Sequence, residues 1–383
     1  MDANHAVEEC KSEKESHVNI QDIPHQDDTD IAKHTSRIRR IFNFTQIFAF
    51  SLTFMSTWLG MCTNMWFALY NGGPQTFAWS VIIAYVGALA QSASLAEMAS
   101  IQPIAGAQYH WTWALAPTGC KRFVTWMQGW VTWFGWISLL AGIANVNAGL
   151  LQSLASLNNP DYVPEQWHVV LIIYAMVISQ TAINIFAYKL VPKIEMAAGI
   201  LYVCLFVVFL TVLAALGDKH SASYVFTSST VSSGWSDTFT AWNIGMLTCA
   251  WSFTGFDGAL HMSEEVRKAK HAVPRALFWT IALNGILGYA MVLAILFASG
   301  SLDEDLNSYW PIIVIVQNVT GSVKATTALI SLLFAVSYCV GLASITTVSR
   351  LTWAWARDGG LHPWFALVSM PTANLVWLAL MLV

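Results

Sequence analysis

The sequence predicts an all-α polytopic membrane protein. Three observations carry that prediction. The 383-residue chain is 56% apolar and only 10% charged, whereas a soluble domain carries about 25% charged residues. Its apolar residues gather in runs long enough to cross a bilayer, which takes about 20 residues in a helix. Nineteen Trp residues suit a protein with many membrane interfaces, because Trp and Tyr collect at headgroup depth.

The elements follow in order. Residues 1–40 form a tail whose first 35 positions hold many Glu, Asp, Lys, His and Gln residues and few apolar ones. Such a segment cannot bury enough surface to fold and lacks the apolar core of a signal peptide. It is expected to be a disordered cytosolic tail. Apolar runs then occupy about 44–70, 77–99, 124–152, 167–188, 195–216, 239–262, 276–299 and 322–349, and a ninth starts near 371. Glycine, proline and charge clusters separate them at 72–74, 117–122, 158–165, 189–193, 217–220, 264–275 and 303–311.

Lysine and arginine orient the runs. With the tail inside, the inner loops hold Arg37, Arg39, Arg40, Lys121, Arg122, Lys189, Lys193, Arg267, Lys268, Lys270, Arg275, Arg350 and Arg357, and the outer side only Lys219 and Lys324. Thirteen against two places the N-terminus in the cytosol. The sequon Asn318-Val319-Thr320 then falls outside and Asn43-Phe44-Thr45 inside. The net charge of −4 and the lack of a basic cluster give no sign of a nucleic-acid partner. The six Cys residues form no CxxC pair, no metal-ligand spacing is seen, and no cofactor is expected. No HExxH or GxSxG motif points to an enzyme.

Two runs are interrupted. Ser56-Thr57-Trp58-Leu59-Gly60 divides the first, and Ser252-Phe253-Thr254-Gly255-Phe256-Asp257-Gly258 divides the sixth with two glycines and a carboxylate. Irregular backbone at membrane depth survives only where it is buried or lines a cavity. The first and sixth runs lie five helices apart, the relation expected of two inverted repeats whose broken helices meet at the midplane. The alternative at each glycine cluster is close helix packing.

The stretches EMASIQPIAGAQYHWTWALAP at 97–117 and SFTGFDGALHMSEEVRKAKHAVPRA at 252–276 resemble the fungal amino acid/choline (GABA/choline-type) permeases of the amino acid–polyamine–organocation superfamily. The resemblance covers roughly residues 36–383. It implies a LeuT-like 5+5 inverted repeat, with 41–216 as the first repeat and 217–383 as the second. Family members run to about twelve spans, so the second repeat is expected to be truncated within the ninth, and the chain as given is expected not to transport. The resemblance implies a secondary transporter for an amino acid or related amine such as GABA or choline, coupled to protons, in the plasma or the vacuolar membrane. The alternative is a truncated, non-transporting pseudo-carrier or nutrient sensor.

The resemblance assigns the substrate site to Thr57, Trp58 and Gly60 and to Phe253, Thr254, Gly255, Phe256 and Asp257. Leu59 departs from the family pattern, in which an acidic residue is common, and leaves the headgroup preference open. Asp257 reads as a partner for a substrate amine or a proton site, or as the cap of a restarting half-helix, since an unpaired acid at that depth costs several kcal/mol. Glu195 is a proton-coupling candidate, because in relatives this region lies near the coupling-ion path; otherwise it is an interfacial anchor. Glu97, Glu264 and Glu265 sit at inner helix ends, either in a gate network or in a solvated loop. His110 and His261 are read as packing or loop residues in preference to proton shuttles, and Trp126, Trp130 and Trp133 as packing. The stretch 347–365 is expected to be a cytosolic linker helix.

Overall fold

The structure is a computed structural model and describes residues 40–366. The predicted tail and ninth run lie outside these residues. Helix α1 (Phe44–Met55) starts at Asn43, whose side chain accepts from Gln46 N at 2.8 Å while its own N–H donates to Gln46 Oε1 at 3.0 Å. This reciprocal capping satisfies two end amides and sets the start point. The helix stops at Ser56, which is left-handed with φ 34° and ψ 47°.

Helix α2 (Thr57–Ile101) follows at once. It contains a second interruption at Gly73, with φ 73° and ψ −168°, ahead of Pro74. Proline removes an amide donor and crowds the residue before it, and glycine alone adopts that backbone freely. A side chain at Gly73 would also meet Thr230 N at 2.9 Å. The stretch 44–101 is therefore two crossings joined by a tight turn. At 1.5 Å per residue its 58 residues far exceed one bilayer core.

Helices α3 (Ala107–Leu115), α4 (Lys121–Asn158), α5 (Gln166–Phe186), α6 (Val191–Leu216) and α7 (Ala222–Thr227) come next. The sixth run folds as α8 (Thr238–Ser252) and the single turn α9 (Gly258–His261), with turns between them. Asp237 caps α8 by accepting from Phe239 and Thr240 amides. Helix α10 (Ala269–Ala298) leads to two short helices, α11 (Leu302–Leu306) and α12 (Pro311–Thr320), and then to α13 (Val323–Arg357). Six of the described helical stretches are long and apolar enough to cross a membrane. The sixth run is not among them, because its break leaves neither half long enough.

Helix α2 packs along α8 and α10, α13 along α4, and α1 along α6. Trp58 is fully buried against Tyr202, Phe206 and Phe209 of α6, with ring centroids 5.4–6.1 Å apart. Val131, Phe134, Ile178, Ile200 and Val207 point outward, as a hydrocarbon solvent permits.

Four expectations change. The first break is confined to Ser56, and Gly60 is already helical. The predicted loop 264–275 is shorter, because α10 begins at Ala269. The stretch at 347–365 is not a separate linker helix: α13 continues to Arg357, and a short 3-10 turn follows at Pro363–Ala366. The AGAQYHW stretch is not a loop but opens α3.

Candidate functional site

The two interruptions meet at a small cavity of about 50 Å³, room for about one or two waters and well below the usual size of a small-molecule site. The first run supplies Ser56, Gly60, Thr63 and Asn64, the sixth supplies Trp251, Ser252 and Thr254, and α13 supplies Ser337. Phe54, Leu139 and Ile143 complete the apolar wall. Among the described residues, no ionisable side chain lines it. Its polarity comes from hydroxyls, one amide and the peptide groups of the broken helices.

The breaks redirect the backbone hydrogen bonds around them. The first amides of a helix have no partner within it. Around the second break, Thr254 N reaches Trp251 O at 3.0 Å and Gly258 N reaches Gly255 O at 3.0 Å, each a turn contact in place of the regular ladder. Gly255 has φ 83°, and a Cβ there would stand 2.2 Å from a Phe54 ring carbon. A Cβ at Gly60 would stand 3.1 Å from Ser252 Oγ. Both glycines let the two interrupted spans touch.

The sequence candidates separate into groups. Gly60 and Thr254 line the cavity. Thr57 is buried, with its amide directed to Asn284 Oδ1 at 3.4 Å. Trp58 anchors α2 to α6. Phe253 is buried and stacks on Tyr85, and Phe256 is buried. Asp257 does not line the cavity. Its Oδ2 accepts from Gln108 Nε2 at 2.5 Å and Trp136 Nε1 at 3.2 Å, and lies 3.4 Å from His261 Nε2. Trp136 in turn stacks on the cavity residue Phe54. The capping alternative fails, because the Asp257 side chain accepts no amide of α9.

Glu195 is completely buried, and neither carboxylate oxygen has a hydrogen-bond partner. It faces a tight contact. Thr53 Oγ1 donates to Glu195 O at 3.3 Å, and a Cβ at Gly199 would stand 3.3 Å from Ala49 Cβ. The interfacial-anchor alternative does not fit a residue so enclosed.

Near the ends of α3, α9 and α13 lies an ionic network. Glu265 pairs with Arg350 at 2.8 Å, and Glu264 with Arg357 at 3.4 Å while accepting from Ala105 N at 3.3 Å. Asp358 accepts from Tyr109 Oη at 2.7 Å and contacts His110 Nε2 at 2.9 Å and Arg357 Nε at 3.2 Å. Burial alone would raise the Asp358 carboxyl; the His110 hydrogen bond and the Arg357 charge outweigh it and hold it down at about 2. Burial, and then Asp358, push the Tyr109 hydroxyl well above its usual range. Glu97 is exposed and joins none of these pairs among the described residues. No group of His, Cys, Asp or Glu among the described residues is placed to hold a metal.

Sequence reasoning missed Thr63, Asn64, Ser337, Gln108 and Trp136. Thr63 and Asn64 stand three and four positions after Gly60, one helical turn on. That spacing was a usable signal. Ser337, Gln108 and Trp136 come from distant segments and left none.

Long apolar helices with two interrupted spans that meet around a small internal cavity define an integral, multi-pass membrane protein. The family model described as amino acid permease matches residues 42–383, and the chain belongs to that family. A Macrophomina phaseolina protein provisionally named an amino acid/polyamine transporter is 32% identical over 315 residues, which are 82% of this chain and 69% of that protein. The choline transporter of Saccharomyces cerevisiae is 29% identical over 330 residues, 85% of this chain and 58% of its own. The GABA-specific permease of the same yeast is 25% identical over 342 residues, 86% and 59%. The chain thus spans roughly three fifths to two thirds of these relatives.

Proposed function

We propose that this chain carries the substrate site of a secondary transporter for an amino acid or related amine, working by alternating access around the broken first and sixth spans. The observation that carries this is a small, uncharged cavity with hydroxyl and amide groups in an apolar wall at the junction of two interrupted helices, in a member of the amino acid permease family. Gly60 and Thr254 touch the substrate, together with Ser56, Thr63, Asn64 and Ser252. Thr57, Trp58, Phe253, Gly255 and Phe256 shape the walls. The substrate's charged ends rest on the helix ends and hydroxyls beside the breaks, the N-terminal ends toward a carboxylate and C=O groups toward an amine. Trp251, in the cavity wall, offers an aromatic ring to an ammonium. Relatives named for choline and GABA support this substrate class.

Glu195 is the coupling group. An ionised carboxylate without a partner at that depth is costly, so in the conformation described it holds a proton. Movement of α1 away from α6 exposes it and lets the proton leave. The asymmetry of Lys and Arg supports a cytosolic N-terminus and a cytosolic ionic network, and the reading takes the membrane to be the plasma or the vacuolar one.

The test is binding and uptake of labelled choline, GABA and a panel of amino acids by protein in vesicles, with and without an inward pH gradient. Saturable binding weakened about tenfold by Gly60→Ala is expected, a loss of about 1.4 kcal/mol. Glu195→Gln is expected to keep binding and lose the response to the gradient. Binding of none of these compounds, in protein that inserts, would refute the reading.

A further inference from the structure

A second proton-holding group lies outside the cavity. His261 is fully buried, and its Nδ1 is 2.7 Å from the Ala105 carbonyl. A carbonyl only accepts, so Nδ1 carries a hydrogen. A neutral His261 would then turn the lone pair of Nε2 toward Asp257 Oδ2, 3.4 Å away. That oxygen already accepts from the Trp136 indole, which only donates. Two lone pairs facing each other in a buried site repel. The contact is stable when His261 carries a second hydrogen and forms an ion pair with Asp257.

We infer that Asp257 and His261 form a one-proton latch that holds the segment before α3 against the broken sixth span. The latch joins three elements: α9 through His261 and Asp257 just before it, the 104–116 segment through Ala105 and Gln108, and α4 through Trp136. Losing its proton leaves one buried negative charge with no free cation against it among the described residues. The nearby cations are committed, Arg350 to Glu265 and Arg357 to Glu264 and Asp358. His110 and Tyr109 face Asp358, and Glu264 faces the Ala105 amide. No charged side chain from α4 or α1 contacts the pair. Deprotonation therefore releases the 104–116 segment, and protonation closes it. The consequence for coupling rests on the transporter reading, but the latch does not.

Hydrogen exchange of the full chain in lipid discs tests the latch without any transport. After correction for the intrinsic rate, opening of 104–116 is expected to rise with pH, reaching the slope of one proton, about tenfold per pH unit. Asp257→Asn and His261→Gln are each expected to flatten that profile, and His110→Gln to leave it in place. A flat profile in the unmodified protein would overturn the latch, and so would a slope that survives both pair substitutions. A slope lost only in His110→Gln would assign the titration to the Asp358 contact and overturn it too. If the pair variants do not insert, the profile of the unmodified protein decides. Loss of substrate binding with the slope intact would sink the transporter reading and spare the latch.

Discussion

At the scale of single residues, the site depends on small groups more than on charged ones. Gly255 combines a left-handed backbone with a Phe54 ring 2.2 Å from where a Cβ would sit. Gly255→Ala should therefore suffer twice, from about 1 kcal/mol or more of backbone strain and from the clash. A lowered thermal midpoint in detergent is the expected outcome. Adding Phe54→Leu should recover part of the loss, the clash, and leave the strain. An unchanged midpoint in the single variant would show that the break is looser than described. Asp257 shows the limit of reading a site from a chain alone. Its position in a glycine-rich break was legible, but its partners Gln108 and Trp136 lie 149 and 121 residues away. No local pattern encodes that encounter.

Among the elements, the apolar runs and both breaks were legible because the bilayer acts locally: it demands length, apolarity and a reason for every interruption. The start of α10 at Ala269 and the run of α13 through Arg357 were not, because tertiary pairing stabilises charged turns there, as Arg350 with Glu265 does. Ser56 is a non-glycine residue in left-handed backbone. Ser56→Gly is expected to raise stability by about 0.5–1 kcal/mol, read in a chemical-denaturation midpoint, if the strain outweighs the lost hydroxyl bond to Thr53 O. The α11 segment responds to pH. Burial, and then neighbouring Glu304, raise the Asp305 carboxyl to about 7. Between the ordinary carboxylate value and 7 the folded segment holds a proton that the unfolded one does not, so its stability falls as pH rises through about 7. Exchange protection across 302–320 should drop over that range, and Asp305→Asn should abolish the drop. The same drop in the variant would assign it elsewhere.

For the whole molecule, orientation is the most direct test. Single cysteines at Lys268 and Glu304, in a chain cleared of its other cysteines, should divide under an impermeant reagent on intact cells. The cysteine at 304 should label and that at 268 should not; the reverse pattern would invert the topology. The mechanics turn on Ser56. Helix α1 has 12 residues, about 18 Å at the regular rise, and one residue joins it to α2. Beyond that joint, Trp58 is clamped by three rings of α6. Helix α1 is thus a lever on a pivot whose far side is bolted down, and a turn of about ten degrees sweeps its free end by about 3 Å. That end carries Phe42, tied to the chain after α9 by Phe42 N to Glu265 O at 3.1 Å and Arg267 N to Phe42 O at 2.9 Å. A 3 Å sweep would break those two bonds unless the 265–267 segment travels with it. The lever and the lower half of the sixth span are therefore geared to turn together.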